Sequence, residues 1–255
     1  MRNSIKIGRD NYLTQNIMTP NPTYLLEKTE INLPLIAFYD APETMSFEPT
    51  ISPNKHARAC MYSFYRKWLK GETVILTKDN FGCGGASHHL FNQPKRSHED
   101  FIHFLADDEG LKANYVLMDN WVKASQAYKP ENDYLLYGPL KMEQYKFVKT
   151  TTFLVNPDQL SMLMIGAQYF ASTKDPEPVI APFGSGCMQS ISLFKDLNIP
   201  QAIIGATDMA MRQYLPAEIL AFTVTKPMFE NLCKLESNSF LEKGFIKQLK
   251  KVRSK

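Results

Sequence analysis

The sequence predicts an α/β protein in which helices flank a mixed β-sheet. Short runs rich in β-branched and aromatic residues alternate with amphipathic segments of helical period. Alternation of strands and helices along a chain is typical of α/β folds. Two of the predicted strands run into glycine-rich loops that contain a cysteine, and these loops hold the candidate functional residues.

The first half of the chain contains three predicted strands and five predicted helices. Strands are expected at 35–39, 74–77 and 134–137, and helices at 11–17, 54–70, 87–91, 99–107 and 112–127. Asn54 is a suitable N-cap for the helix that carries Cys60, and Gly71 is a suitable stop. The residues from Ser97 to Asp100 resemble a capping box at the start of the next long helix.

The second half has four predicted strands and four predicted helices. Strands are expected at 148–155, 179–181, 202–204 and 219–224, and helices at 157–171, 188–194, 225–235 and 240–251. The strand at 148–155 is rich in Thr, Phe and Val, which favour strands. Asn156 is an N-cap residue and Pro157 fits the first helical position, so together they predict a helix start.

Length, charge and composition limit the kinds of protein that this chain can be. The 255 residues suggest one large domain or two small ones. A net charge of +3 is too small to indicate nucleic acid binding, and no apolar stretch approaches the roughly 20 residues of a membrane span. The N-terminal residues lack the apolar segment of a signal peptide. We therefore expect a soluble cytoplasmic protein whose four cysteines are reduced.

The two halves show a similar order of elements. Strand, helix, strand and glycine-rich cysteine loop follow one another from residue 35 to 85 and again from 148 to 187. The similarity suggests an internal duplication, with units at 34–140 and 148–235, inside a single domain whose core covers about 30–235. Ordinary α/β alternation explains the same pattern equally well. A duplication would place Cys83 and Cys187 at one shared cavity.

The two cysteine loops are the main candidates for a functional site. Residues 81–85 read Phe-Gly-Cys-Gly-Gly, and residues 181–187 read Ala-Pro-Phe-Gly-Ser-Gly-Cys. Glycine allows close approach to the backbone, and free N–H groups at a helix start favour the thiolate form of a cysteine. The candidate ligand-binding residues are Gly84, Gly85, Gly184, Ser185, Gly186 and Arg212, the last as a counter-charge for an anion.

Candidate metal ligands are Cys83, Cys187, Cys60, His56 and His88. His56 and Cys60 lie four residues apart on a predicted helix, a spacing that brings two ligands to one face. A buried cysteine and a solvated histidine explain that pair as well. His88 follows Cys83 closely enough to fold back over the loop. No two cysteines have the Cys-x-x-Cys spacing that would indicate a zinc ribbon or a thioredoxin-type redox pair.

Several motifs occur in the order of a known family. They are Cys60, Cys-Gly-Gly-Ala at 83–86, Asn-Pro-Asp-Gln-Leu at 156–160, Gly-Ser-Gly-Cys at 184–187, Arg212, Glu-Ile-Leu at 218–220, Phe222 and Pro227. In this order they resemble domain of unknown function family 169, an uncharacterised archaeal and bacterial group that contains cysteines. The resemblance covers roughly residues 30–235. It implies a soluble prokaryotic-type protein with a cysteine-lined site. Ser-His-His at 87–89 departs from the family pattern.

The sequence is compatible with two different functions. One is a cytoplasmic protein that binds a transition metal or an iron–sulfur cluster through Cys60, Cys83 and Cys187, leaving one coordination position free. The other is a non-catalytic binder of a small anionic molecule through the glycine-rich loops and Arg212. Strand ends on one edge of a sheet commonly form the ligand crevice of α/β folds, so both functions predict that the two loops meet.

Overall fold

A computed structural model describes residues 19–52, 60–77, 83–92, 96–172, 178–181 and 183–254. Some of the sequence predictions fall outside these ranges. They concern the helix at 11–17, the N-cap Asn54, the ligand candidate His56, and the first two residues of the Phe-Gly-Cys-Gly-Gly loop.

The described residues form one mixed sheet of eight strands, which confirms the predicted α/β class. The strands are β1 (Ile36–Ala41), β2 (Thr50–Ile51), β3 (Thr73–Leu76), β4 (Tyr134–Pro139), β5 (Val148–Val155), β6 (Val179–Ile180), β7 (Ala202–Gly205) and β8 (Leu220–Thr225). Their spatial order is β2-β3-β4-β1-β5-β8-β7-β6. The β2–β3 and β6–β7 pairs are parallel, and the other neighbours are antiparallel.

This strand order is symmetric about the central pair, β1 and β5. Reading outwards from the centre, β1, β4, β3 and β2 on one side match β5, β8, β7 and β6 on the other. Each side ends in a parallel pair. The duplication suggested by the sequence would make the strand at 74–77 the counterpart of the strand at 179–181. In the symmetric order of the sheet, the counterpart of β3 is instead β7, and that of β2 is β6. The duplication itself stays a prediction.

Helices cover both faces of the sheet. The α-helices are α1 (Thr23–Thr29), α2 (Tyr65–Trp68), α3 (Gly84–Phe91), α4 (His98–His103), α5 (Tyr115–Ala124), α6 (Pro157–Gln168), α7 (Met209–Arg212), α8 (Lys226–Leu232) and α9 (Gly244–Arg253). A 3₁₀ helix at Met61–Phe64 leads into α2. Two π-helices occur, at Phe104–Asp108 and Met188–Ser192.

Alternation along β1 shows how one strand supports two cores. Ala37 and Tyr39 pack on one face of the sheet, into the core shared with α6 and α8. Ile36 and Phe38 point to the opposite face, as the two-residue period of a strand requires. That second core is formed with α2, α3, α7 and the π-helix at Met188–Ser192. A small third core, between α4 and α5, lies beside it.

Cap residues explain where the best-predicted helix begins. The Asn156 Oδ1 accepts the Gln159 N–H at 2.9 Å, and the Gln159 Oε1 accepts the Asn156 N–H at 3.0 Å. The pair forms a capping box with Pro157 at the first helical position, as the sequence predicted.

The prediction that Cys60 lies within a helix is wrong. Its backbone is extended, with φ −59° and ψ 147°, and helical structure begins only at Met61. The helix α1 was also missed, because the apolar residues of Thr23–Thr29 lie in a segment read as an irregular lead. None of the described helices is both long and apolar enough to cross a bilayer.

A candidate site lined by three thiols

A cavity of about 590 Å³ opens beside the second core, and three of the four cysteines line it. Cys60, Cys83 and Cys187 come from three separate segments of the chain, yet each lies at the start of a helical element. Cys83 is the N-cap of α3, Cys60 precedes the 3₁₀ helix, and Cys187 precedes the π-helix at Met188–Ser192. The helix starts therefore direct three thiols at one cavity.

The two loops do not meet in the way that the sequence predicted, which was at strand ends on one edge of the sheet. Five antiparallel steps separate β3 from β7, and β6 is parallel to β7, so β3 and β6 run in opposite directions. The strands before Cys83 and Cys187 thus do not end on one edge of the sheet. The loops meet because the helices that follow them pack together on one face, where α3 contacts the π-helix.

The surroundings of Gly85 set an upper limit on the distance between the Cys83 and Cys187 sulfurs. A Cβ added at this glycine would lie 3.8 Å from the Cys83 Sγ and 3.8 Å from the Cys187 Sγ. The two sulfurs are therefore no farther apart than twice that distance. A side chain at position 85 would occupy the space beside both of them, so the glycine keeps this part of the cavity open.

The other loop glycines have different roles. A Cβ at Gly84 would meet nothing within 4 Å, which is consistent with its position at the cavity. At Gly186 a Cβ would lie 2.9 Å from the Met211 Sδ, and at Gly184 it would lie 2.9 Å from a Leu193 methyl. These two glycines are required by close packing in the core, although both also line the cavity.

Burial keeps the three thiols protonated. It raises the pKa of Cys60 to about 12, raises that of Cys83, and raises that of Cys187 well above its usual value. Backbone N–H groups of Gly85 and Ala86 oppose the shift at Cys83. The sequence-based expectation that these N–H groups favour a thiolate is thus outweighed by desolvation.

Asp208 is a site residue that the sequence analysis did not identify. It lines the cavity. Its Oδ2 accepts the Gly186 N–H at 3.3 Å and its Oδ1 accepts the Ala210 N–H at 2.9 Å. Its negative charge adds to the rise that burial causes in the pKa of all three thiols. Ser185 also contributes a hydroxyl, 3.1 Å from the Cys187 Sγ.

Arg212 does not reach the site. Its guanidinium donates to the backbone carbonyls of Ala206, Pro216, Ala217 and Ile219. These hydrogen bonds hold together the segment that joins β7 to β8. The role of Arg212 as the counter-charge for a bound anion stays a prediction, and it has little support because these donors are directed at carbonyls of its own segment.

The outer wall of the cavity was also missed. It is built from α4, the π-helix at Phe104–Asp108, α5 and two segments of the second half of the chain, and its residues include Arg96, Phe101, Phe104, Leu105, Glu109, Leu111, Trp121, Phe183 and Tyr214. Arg96 lies over the Phe104 ring at 4.3 Å. Burial and the charge of Asp208 raise the pKa of Glu109. The sequence predicted the helix that starts after Ser97, but a helix start does not show against which part of the fold the helix packs.

The two histidines of α3 differ in position. His88 is not part of the cavity wall and packs against Phe101, with ring centroids 5.2 Å apart. His89 does line the cavity and is 2% exposed, and its buried Nδ1 has no hydrogen-bond partner among the described residues. Burial lowers the pKa of His89 to about 3, so the ring is neutral. Within the described part of the chain, no three His, Cys, Asp or Glu side chains are placed to hold a metal ion.

Comparison with known proteins gives one finding. The model of the family described as uncharacterised ArCR, domain of unknown function family 169, matches residues 34–234. No curated protein and no solved structure matches the chain.

Proposed function

We propose that this chain, which belongs to domain of unknown function family 169, binds an iron–sulfur cluster through the thiols of Cys60, Cys83 and Cys187. The observation that best supports the proposal is the convergence of three cysteines, from three separate segments, on one cavity. Cysteine thiolates are the usual ligands of such clusters. The fourth cysteine, Cys233, lies apart from them and packs against the core on the opposite face of the sheet.

We favour a cluster over a single metal ion. Thiolates on one zinc ion lie roughly 4 Å apart, given bonds of about 2.3 Å. The described residues include no group of three ligands placed for one ion. The ligands of a cluster bind different irons and are therefore farther apart. The open space beside Gly85, between the Cys83 and Cys187 sulfurs, is where we place the cluster.

The protonation of the thiols supports binding rather than nucleophilic catalysis. A reactive cysteine needs a low pKa, and all three of these pKa values are raised. A thiol of this kind still binds metal, because the metal displaces its proton. All four cysteines are free, and an oxygen-sensitive cluster of this kind suits a reducing, cytoplasmic compartment.

Three cysteine ligands leave part of the cluster without a thiolate. The cavity beside it is within the size range of small-molecule sites, and its wall carries Phe101, Phe104 and Trp121. We therefore propose that the protein presents its cluster to a small, largely apolar molecule. Ser185, at 3.1 Å from the Cys187 Sγ, is placed to tune the cluster, since hydrogen bonds to ligand sulfurs change reduction potentials.

The alternative function, binding of a small anion without a metal, has weaker support. Its cation, Arg212, is bound to backbone carbonyls. Among the described residues, the charged groups of the cavity are the carboxyl groups of Glu109 and Asp208 and the guanidinium of Arg96. Such a balance does not favour an anion over a neutral or cationic ligand.

The test is anaerobic purification and reconstitution with ferrous iron and sulfide, followed by iron and sulfide analysis and a visible spectrum. The wild type should take up iron and sulfide together and turn brown. Replacement of Cys60, Cys83 or Cys187 with Ser should each remove most of the bound iron. Cys233→Ser is the matched control, since it removes a half-buried thiol far from the cavity, and it should retain the cluster.

Two results would overturn the proposal. One is a wild-type protein that stays colourless and free of iron after reconstitution. The other is uptake of a single zinc or cobalt ion per chain without sulfide, which would show a mononuclear site.

A further inference from the structure

The symmetry of the sheet extends to the residues of the cavity. Outside the central strands, β2 and β6 correspond, and so do β3 and β7. In the described part of the chain, the helical element after β2 begins just beyond Cys60, and Cys187 lies in the first turn of the one after β6, whose helical residues begin at Gly186. Cys60 and Cys187 therefore lie at the starts of corresponding helical elements.

The same correspondence applies to the second pair of strands. Cys83 follows β3 as the N-cap of α3, and Asp208 follows β7 as the N-cap of α7. The packing of these elements is symmetric too. The helix α3 contacts the π-helix after Cys187, and α7 contacts the 3₁₀ helix after Cys60. The four positions thus form two corresponding pairs, in which three positions carry a thiol and one carries a carboxylate.

We propose that the Asp208 carboxylate is the fourth ligand of the cluster and binds the iron that the three thiolates leave without a protein ligand. This inference rests on the proposed cluster and names the residue at its open position. Asp208 lines the same cavity as the three cysteines. An oxygen ligand is the harder one in this set, and it binds iron less firmly than a thiolate does.

The surroundings of Asp208 suit this role. The Gly186 N–H holds its Oδ2 next to the loop of Cys187, and the Ala210 N–H holds its Oδ1 at the start of α7. A carboxylate has about four lone-pair sites, so these two hydrogen bonds leave acceptor capacity for a metal.

His89 is the competing candidate. It lines the cavity and its Nδ1 has no hydrogen-bond partner. It lies inside α3, however, and has no counterpart in the symmetric arrangement of helix starts. His89 therefore serves as the control residue.

The experiment compares how readily an added thiol binds the cluster. Wild type, Asp208→Asn, Asp208→Cys and His89→Gln are reconstituted anaerobically, and the electron paramagnetic resonance spectrum of each reduced cluster is followed during titration with 2-mercaptoethanol. Asp208→Asn keeps the N-cap, because the Asn side chain also accepts the Ala210 N–H. Its amide is a neutral and weaker iron ligand.

We expect the added thiol to change the spectrum of Asp208→Asn at a concentration at least tenfold lower than that needed for the wild type, a factor that corresponds to about 1.4 kcal/mol. Asp208→Cys should resist the thiol, and His89→Gln should behave as the wild type does. Equal thiol sensitivity of the wild type and Asp208→Asn would overturn the inference, as would a shift confined to His89→Gln. If the wild type assembles no cluster at all, the proposed function itself fails.

Discussion

At the scale of single residues, the thiols and the glycine beside them define the site. The sequence indicates Cys83 and Cys187 because glycines surround each of them. It does not indicate Asp208 or the true partners of Arg212. An aspartate four residues before an arginine is an ordinary helical ion pair, and only the fold shows that one side chain faces a cavity and the other faces carbonyls.

Gly85→Ala should abolish cluster binding while the protein stays folded. The new methyl group would lie 3.8 Å from two sulfurs, an ordinary contact for the empty protein but an obstacle to a cluster. Alanine within a helix should raise stability by about 0.5–1 kcal/mol. Iron content after reconstitution and the unfolding midpoint measure the two effects.

Gly84→Ala is the matched control, because a Cβ there meets nothing within 4 Å. It should gain similar stability and retain iron. Equal iron contents in the two variants would contradict the placement of the cluster beside Gly85.

His89 should make the protein sensitive to acid. Burial lowers its pKa from 6.5 to about 3, so the unfolded chain binds a proton that the folded protein excludes between these values. The free energy of unfolding should therefore fall as the pH drops below 6.5, by about 1.4 kcal/mol per pH unit from this residue once its unfolded form is protonated.

His89→Gln removes that proton binding site. In urea unfolding of the metal-free protein between pH 6.5 and about 4, the variant should lose less stability per pH unit than the wild type. Parallel pH profiles would show that His89 is not buried in its neutral form.

At the scale of elements, local signals predicted strands well and helix starts unevenly. The strand β5 was predicted with its observed bounds, because β-branched residues end abruptly at the Asn156 cap. The start of the helix after Cys60 was misplaced, since the sequence offered Asn54 as a cap and nothing local marks Met61. The π-helices at Phe104–Asp108 and Met188–Ser192 were read as ordinary helix, because their apolar patterns are similar.

Asn156→Ala should destabilise the protein by about 1 kcal/mol, because it leaves the Gln159 N–H without its side-chain acceptor. Denaturant unfolding measures the change. Asn156→Asp supplies the control, since a carboxylate accepts the same hydrogen bond and suits a helix N-terminus. A loss of the same size in both variants would point to packing rather than capping.

At the scale of the whole molecule, the symmetric order of the sheet organises the site. The sequence gives the alternation of elements, but it cannot give strand direction across eight strands, because pairing joins residues far apart in the chain. That is why the expected meeting of strand ends on one edge is wrong, although the two thiols do line one cavity. For the same reason, the correspondence between Cys83 and Asp208 can be recognised only from the strand order of the folded protein and not from the sequence.

That proposed equivalence predicts that the two proposed ligands, Cys83 and Asp208, can be exchanged. Cys83→Asp alone should lose most of the bound iron, because only two thiolates remain. The double variant Cys83→Asp/Asp208→Cys restores three thiolates and one carboxylate at the four helix starts, and it should recover iron and sulfide contents close to those of the wild type. The exchange should cost little stability, since an N-cap aspartate is lost from α7 and one is gained at α3.

The control places the third thiol elsewhere in the same cavity. Cys83→Asp/Ser185→Cys also has three cysteines on the cavity wall, but position 185 lies beside Cys187 rather than at a helix start equivalent to Cys83. It should stay as poor in iron as Cys83→Asp alone. Recovery in this control to the level of the exchanged protein would mean that any nearby thiol suffices. A failure of the exchanged protein to recover would mean that positions 83 and 208 are not equivalent, despite the symmetry of the strands that precede them.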